Sequence, residues 1–269
     1  MDNLILGRYI PGNSIIHRLD PRSKLVAMIC YIIIIIFWAN NFITNLIMLT
    51  FTLLVVMLSK VKLSFFINGL KPMIGIILFT TFFQMFFTQG GHLIFQFGVI
   101  TISSHGVNQA LLIFMRFLLI IFFSTLLTLT TTPLSLSDAV ESLLQPLTPL
   151  KVPAHEIGLM LSLSLRFVPT LMDDTTRIMN AQKARGVDFG EGSLIQKVKS
   201  IIPILIPLFA SSFKRADALA IAMESRGYQG GEGRSKYRLL KWTIKDSLAV
   251  MSILILGIVL FYLKTPISN

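Results

Sequence analysis

The sequence predicts an all-α integral membrane protein, with about five transmembrane helices and a cytoplasmic domain built on two long, crossed helices. Three observations support this fold class. Of the 269 residues, 54% are hydrophobic and only 14% are charged, whereas soluble domains carry about 25% charged residues. Many apolar residues are gathered into runs close to the roughly 20 residues that a bilayer requires. The acidic residues are almost confined to one stretch of the chain.

Five apolar runs are predicted to span the membrane. The first run begins only at residue 24, behind a polar segment, and ends at WANN rather than at a small-residue cleavage site. We therefore interpret it as a span and not as a signal peptide. Cys30, the one cysteine, lies within it and can form neither an internal disulfide nor a metal site alone. The predicted spans are 24–41, 43–59, 70–88, 107–131 and 246–263.

The basic residues predict the orientation. Residues 1–24 hold four Lys or Arg and the link 60–71 holds three, whereas the links 40–43 and 88–106 hold none. Because cytoplasmic loops are enriched in Lys and Arg, we expect the N-terminus of this multi-pass cell-membrane protein to be cytoplasmic. The same bias accounts for the net charge of +11, so we expect no nucleic-acid partner.

The acidic residues mark a separate domain. No Asp or Glu lies between Pro21 and Ser137, while 11 of the 13 acids lie from Asp138 to Asp246. Residues 132–245 also hold 15 of the 24 basic residues. This composition predicts a cytoplasmic domain inserted between the fourth and fifth spans. The predicted domains are 1–133, 134–245 and 246–269.

Three helices are predicted in the inserted domain. The stretch LSLSDAVESLLQPL opens with Ser135 or Ser137 as a candidate N-cap. Two helices at about 154–185 and 194–226 would each extend about 50 Å. An apolar stripe at helical spacing runs from Leu194 to Met223. The stripe either packs in a core or belongs to a helix at the membrane surface, since each long helix has an apolar and a polar part.

A short motif occurs twice, as AQKARGVDFGEG at 181–192 and as AMESRGYQGGEG at 222–233, with an offset of 41 residues throughout. Arg in a last turn and Gly just past it are common at helix ends, so one copy requires no function. Capping does not explain the small residue before each Arg or the G-E-G after it. Each copy would make a narrow tip whose guanidinium can bind a carboxylate of another protein bidentately.

Over nearly its whole length the chain resembles the transmembrane component of energy-coupling factor transporters, the vitamin and metal-ion importers of prokaryotes. The resemblance rests on HRLDPRSKL, on SLRFVPTLMDDTTRIMNAQKARGVDF and on ADALAIAMESRGY. In that family, two coupling helices cross on the cytoplasmic face. Their Arg-Gly ends dock into grooves of two ATP-binding-cassette ATPases, and a small membrane-embedded subunit binds the substrate.

The resemblance implies the site and the partners. The implied ATPase-coupling residues are Ala184, Arg185, Gly186, Ser225, Arg226 and Gly227. The two ATPases bind ATP and Mg, this chain binds no cofactor, and the two non-identical tips suggest an ATPase heterodimer. We further expect apolar parts of the long helices to contact the substrate-binding subunit. The residues expected in that contact are Leu161, Leu165, Ile202 and Leu205.

Other functions are less well supported by the sequence. A permease forming its own substrate pathway, the main alternative, would need polar groups at mid-membrane, where the spans offer chiefly Arg116 and Gln84. For Arg116 we expect a structural role, by snorkelling, by bonding to carbonyls or by meeting Gln84. An intramembrane enzyme would need paired Asp or Ser/His in a span. HEIGL lacks the second His of a zinc-protease motif, and no phosphate-binding Gly-rich loop occurs.

A structural membrane protein without a transport role is the remaining alternative, and the doubled motif argues against it. The four histidines are scattered and lack metal-ligand spacing. We therefore expect a non-catalytic subunit of an ATP-driven importer, whose substrate the sequence does not name.

Overall fold

The computed structural model describes most of the chain, and its contacts divide the chain into two compact units. The described residues are 9–88, 90, 93–97, 100–187, 189, 193–230 and 239–264. One unit, here called the membrane unit, comprises Met1–Ala139 and Leu240–Asn269. The other, here called the inserted unit, comprises Val140–Leu239.

The architecture is helical, as predicted. The membrane unit contains α1 (Pro21–Trp38), α2 (Phe42–Ser59), α3 (Leu63–Leu70), α4 (Ile74–Phe87), α5 (Ser104–Thr130) and α9 (Ile244–Lys264). Helix α6 (Pro133–Leu144) begins in the membrane unit and ends in the inserted unit. The inserted unit continues with a 3₁₀ helix (Gln145–Leu150), α7 (Ala154–Ala184) and α8 (Leu194–Ser225).

A short antiparallel hairpin is an addition that the sequence did not predict. Strand β1 (Leu93–Phe97) pairs with β2 (Ile100–Ser103) within the charge-free link before α5. The register places Phe97 opposite Ile100. The hairpin changes the connection between two helices and leaves the helical fold class as predicted.

Four described helices, α1, α2, α5 and α9, are long and apolar enough to cross a membrane. Helices α3 and α4 pass the same test only as a pair, bent by 62°. The predicted third span, 70–88, therefore differs from the structure, where the apolar segment starts at Leu63 and bends near Pro72. Pro72 has no N–H to continue the helical hydrogen-bond ladder, which accounts for the break.

Polar residues set where the helices of the membrane unit begin. The Asp20 carboxylate accepts a hydrogen bond from the Arg22 backbone N–H at 2.8 Å, and Pro21 occupies the first helical position of α1. The Ser103 hydroxyl accepts from the Gly106 N–H at 3.0 Å and caps α5. Such caps satisfy donors that have no partner within the helix.

Helix α6 begins earlier than the sequence indicated. Its first residue is Pro133, and the Thr132 hydroxyl oxygen accepts a hydrogen bond from the Ser135 N–H at 3.2 Å. Thr132 is therefore the cap, and the proposed N-caps Ser135 and Ser137 lie inside the helix. A Pro at the first helical position needs no hydrogen-bond partner for its nitrogen, which favours this earlier start.

The core of the membrane unit forms around α5 and α1. Tyr31 stacks on Phe123 with ring centroids 4.1 Å apart, and its hydroxyl lies 2.6 Å from the Thr52 hydroxyl. A Cβ at Gly257 would lie 2.9 Å from the Ile34 side chain, so the glycine permits the close approach of α9 to α1. Every residue of the two buried apolar clusters belongs to this unit.

The inserted unit buries little within the chain. Across its described residues, only Ala154, Gly158 and Ile204 are buried. The apolar stripe of α8 contains no buried residue among those described, and its Val198 is 63% exposed, so the stripe does not form a core within the chain. This unit therefore presents apolar helix surface outward.

Candidate functional site

Helix α7 ends in a complete glycine-based C-cap. The Gly186 N–H donates to the Lys183 carbonyl at 3.0 Å, and the Val187 N–H donates to the Gln182 carbonyl at 3.0 Å. These two bonds, with Gly186 at φ 86°, define a Schellman motif. Arg185 is the residue at which the helix ends, immediately before the glycine.

Helix α8 ends in the same way, residue for residue. The Gly227 N–H donates to the Glu224 carbonyl at 2.9 Å, and the Tyr228 N–H donates to the Met223 carbonyl at 3.0 Å. Gly227 has φ 73°, and Arg226 takes the position that Arg185 has in α7. The sequence repeat is therefore also a repeat of backbone geometry.

Each end presents one guanidinium to its surroundings. Arg185 and Arg226 are exposed, and neither guanidinium makes a hydrogen bond or ion pair with another described residue, although each backbone N–H donates to a carbonyl of its own helix at 3.1 Å. Ala184 and Ser225 before them are exposed too, and the Ser225 hydroxyl donates back to the Ala222 carbonyl at 3.1 Å. We call the residues 184–186 and 225–227 the two Arg-Gly tips.

The glycines of the tips are required by backbone conformation and not by lack of space. A Cβ at Gly186 or Gly227 would meet no atom within 4 Å, but their positive φ is unfavourable for residues with a side chain. The G-E-G parts of the repeat, 190–192 and 231–233, lie outside the described residues.

Helices α7 and α8 are joined by an ion pair. The Arg215 guanidinium donates to the Asp174 carboxylate at 2.7 Å and also lies 5.8 Å from the ring centre of Phe167. The sequence suggests a solvated or helix-pairing face at Asp173, Asp174 and Arg177. The structure places Asp174 in helix pairing, with its partner on the other long helix.

A second polar contact shows the direction in which the helices run. The Gln182 side-chain amide donates to the Pro203 carbonyl at 3.4 Å. Pro207 lacks the N–H that would otherwise pair with this carbonyl, since helical bonds join residues four apart. Because Asp174 meets Arg215 while the later Gln182 meets the earlier Pro203, α7 and α8 are antiparallel.

The four residues expected to contact a substrate-binding subunit present apolar surface. Leu161, Ile202 and Leu205 are 37%, 48% and 41% exposed, and Leu165 is half-buried. Leu161 and Leu165 are four apart on α7, and the other two are three apart on α8, so each pair shares one helix face.

A buried polar cluster in the membrane unit was not predicted. The Asp246 carboxylate accepts hydrogen bonds from the Asp20 N–H at 2.6 Å and the Ser23 hydroxyl at 2.8 Å. It also accepts from the Thr243 N–H at 2.8 Å and the Thr243 hydroxyl at 2.6 Å. Asp246 is only 1% exposed, so this carboxylate binds the start of α9 to the start of α1. We call this group the Asp246 cluster.

A neighbouring lysine binds the end of α5. The Lys24 ammonium donates to the Thr130 carbonyl at 3.0 Å and to the His17 carbonyl at 3.3 Å. It also lies 3.4 Å from the Thr131 hydroxyl. Lys24 and the Asp246 cluster therefore tie the end of α5 and the start of α9 to the start of α1.

Part of this polar cluster could have been recognised in the sequence. Asp20 and Lys24 belong to HRLDPRSKL, and Asp20 is the last acid before the acid-free stretch. An acid directly before Pro21 and an apolar run is typical of a helix N-cap. No pattern, however, indicated that Asp246 would meet it across 226 residues.

Arg116 has a structural partner at the end of α1. Its guanidinium donates to the Ala39 carbonyl at 3.0 Å and to the Asn40 side-chain oxygen at 3.2 Å. Of the three expectations for Arg116, the structure shows bonding to a carbonyl. Gln84 instead donates to the Thr88 hydroxyl at 2.8 Å.

The fold and the tips together define a class: a multi-pass membrane protein whose inserted unit carries two antiparallel helices with matched cationic ends. Within the described ranges, no group of three or more His, Cys, Asp or Glu could hold a metal ion. The family CbiQ, described as cobalt transport protein, matches residues 12–237.

Curated proteins resemble the chain along nearly its full length. The energy-coupling factor transporter transmembrane protein EcfT of Streptococcus equi is 80% identical over 99% of this chain and 98% of its own length. Its counterpart in Streptococcus thermophilus is 71% identical over 98% and 100%, and that in Bacillus subtilis is 51% identical over 98% and 99%. The chain belongs to this family of energy-coupling factor transporter transmembrane proteins.

Proposed function

We propose that this chain is the coupling subunit of an energy-coupling factor importer in the cell membrane, with its N-terminus in the cytoplasm. It transmits the ATP-driven motion of two ATP-binding-cassette ATPases, a heterodimer, to a membrane-embedded substrate-binding subunit. The cargo is a vitamin or another micronutrient. The chain is not itself catalytic, and ATP and Mg are bound by the ATPases.

The pair of Arg-Gly tips carries the proposal. Each Arg stands at a helix end held by two backbone hydrogen bonds, so its Cα is positioned before any partner binds. Each guanidinium is exposed and can form a bidentate, charge-assisted pair with a carboxylate. Two matched tips suit a partner with two similar grooves, and a dimeric ATPase has that form.

The exposed apolar residues support the second contact. An apolar surface left open by the chain alone is typical of a protein or membrane contact. Ile202 and Leu205 on α8, with Leu161 on α7, present such surface. The permease alternative relied on Arg116 and Gln84, and both are engaged in hydrogen bonds within the membrane unit.

The test is an affinity purification of the chain in mild detergent, with mass spectrometry of the proteins that co-purify. The natural chain is compared with the Arg185→Ala, Arg226→Ala double variant. A matched control, Lys183→Ala with Lys199→Ala, removes two exposed cations from the same two helices. Uptake is measured in membranes containing equal amounts of each protein.

We expect two ATPases and a small membrane protein with the natural chain and the control. The Arg double variant should lose the ATPases and nearly all uptake. Unchanged uptake and unchanged ATPase binding in that variant would show that the repeated motif only caps the two helices. The absence of any ATPase from the natural chain would contradict the proposed function itself.

A further inference from the structure

We propose that Asp174 and Arg215 are the positioning pair of the two Arg-Gly tips, because their ion pair holds the contact of α7 with α8 midway between the tips. The inference rests on the proposed function, since it assigns the residues that set the spacing at which two ATPase grooves are met. It concerns neither the tips themselves nor the contact with the substrate-binding subunit.

The position of the pair relative to the repeated motif is the first observation. Asp174 precedes Arg185 by 11 residues, and Arg215 precedes Arg226 by 11 residues. The ion pair therefore joins two positions that stand the same distance before the two copies of the motif, 41 residues apart. At 1.5 Å per residue, each helix extends about 16 Å from the pair to its tip.

The direction of the helices is the second observation. Because α7 and α8 are antiparallel, their C-terminal arms extend from the ion pair towards opposite sides. The two arms together span at most about 33 Å along the helix axes. A slip of α8 by one turn along α7 would change this span by about 5.4 Å, enough to move a guanidinium away from a carboxylate partner.

The small amount of buried surface on α8 is the third observation. Ile204 is the one described residue of α8 that is buried, so apolar packing within the chain specifies the register of the two helices weakly. A 2.7 Å charge-assisted bond between Arg215 and Asp174 is directional and specifies it well. Their side chains are 29% and 20% exposed, so solvent screens the pair only in part.

Two neighbouring contacts also restrict the movement of α8 against α7. Phe167 lies against the guanidinium of Arg215 and restricts its rotation. Gln182 donates to the Pro203 carbonyl, which Pro207 leaves without a helical donor. Two polar contacts at different heights along α7 therefore oppose sliding and rotation of α8.

The test measures the separation of the tips directly, by pulsed electron paramagnetic resonance on the full chain in nanodiscs. Spin labels are attached at Lys183→Cys and Glu224→Cys, two exposed positions that are also 41 residues apart. The background carries Cys30→Ala, which removes the natural cysteine. A span of about 30 Å lies within the range of the method.

Four variants are compared with this background. Asp174→Asn and Arg215→Gln each remove one charge, and the double swap Asp174→Arg, Arg215→Asp exchanges the two. The control is Asp173→Asn, at the exposed neighbour of Asp174. Each is also assayed for uptake with its partner subunits and for ATPase co-purification.

We expect both single variants to broaden the distance distribution and to lower uptake at least fivefold, while the control changes neither. The swap should restore a narrow distribution and most of the uptake, which a role in general stability would not explain. An unchanged distribution in both single variants, or a swap no better than either, would overturn the inference.

Failure of the proposed function gives a different result. The distance measurement requires no ATPase, so a broadened distribution restored by the swap supports the pair whether or not ATPases co-purify. Absence of ATPases from the natural chain contradicts the proposed function. An unperturbed distance in single variants that still bind ATPases contradicts only the pair.

Discussion

The two units differ in where their apolar side chains go. In the membrane unit, Tyr31 and Leu119 are fully buried among neighbours of the same unit. In the inserted unit, Phe209 and Phe213 are 59% and 68% exposed. The comparison shows that one unit encloses its own core, whereas the long helices of the other offer apolar surface that only other molecules can cover.

The units also differ in how they use charge. Asp246 and Lys24 of the membrane unit are 1% and 8% exposed and make several hydrogen bonds each. Arg185 and Arg226 of the inserted unit are exposed. Removing one partner of a buried polar group is costly, whereas losing an exposed charge changes stability little. Substitutions should therefore separate stability from partner binding.

The largest effect on stability is expected from Asp246→Ala. It would leave the buried Asp20 N–H without its acceptor and remove the bonds that Ser23 and Thr243 donate to the carboxylate, at a cost of about 3 kcal/mol. Thermal unfolding in detergent measures this loss of stability. The control is Asp217→Ala, at an exposed acid of α8, which should change the stability by less than about 0.5 kcal/mol. Equal effects of the two substitutions would remove the distinction between the units.

The second test concerns the exposed apolar surface. Leu161→Glu with Ile202→Glu should release the proposed substrate-binding subunit and leave the two proposed ATPases bound, because a carboxylate cannot be buried in an apolar contact without cost. Stability of the chain alone should change by less than about 1 kcal/mol, since both residues are exposed. Co-purification followed by mass spectrometry measures the binding.

The control for that test is Ile221→Glu, which is also on α8 and is 66% exposed but is outside the expected contact. It should retain every partner. Retention of the substrate-binding subunit by the Leu161, Ile202 double variant would show that these residues contact only lipid or solvent.

A smaller effect is expected at the tips. Gly186→Ala and Gly227→Ala should each cost about 1 kcal/mol locally, because their φ values of 86° and 73° are unfavourable with a Cβ. Hydrogen exchange should show faster exchange at the amides of residues 185–187 and 226–228. The control is Gly75→Ala. A Cβ at Gly75 would also meet no atom within 4 Å, but the φ of Gly75 is not positive. Hydrogen exchange at residue 75 should therefore not become faster.

The smallest effect is a pH dependence at the N-terminal segment of the membrane unit. Burial lowers the pKa of His17, the hydrogen bond to the Ile10 carbonyl raises it, and the Lys24 ammonium lowers it, with a net decrease from about 6.5. A lowered pKa means that the unfolded chain binds the proton more readily. The stability contributed by neutral His17 is therefore complete above about pH 6.5 and is lost as the pH falls through the lower, folded value.

Thermal unfolding from pH 7.5 to pH 5 measures this effect. The stability difference between the natural chain and His17→Gln should shrink as the pH falls. His105→Gln, at an exposed histidine, is measured alongside as the control. A constant difference for His17→Gln would contradict the prediction.

Much of the helical layout could be predicted, because apolar runs, caps and breakers act locally. The long helices were expected at 154–185 and 194–226 and are found at Ala154–Ala184 and Leu194–Ser225. The third span was less predictable, because Pro72 indicates a break in the helix but does not set the angle between its two parts. Its 62° bend depends on how α3 and α4 both pack on α5.

The sequence by itself determined the two tips. Their residues lie within a few positions of one another, and a glycine after a terminal arginine closes the same cap wherever it occurs. Only the tertiary structure decided that Asp246 meets Asp20 and that Asp174 meets Arg215. A carboxylate can pair with any donor that folding brings within about 3 Å, and no local pattern states which donor that is.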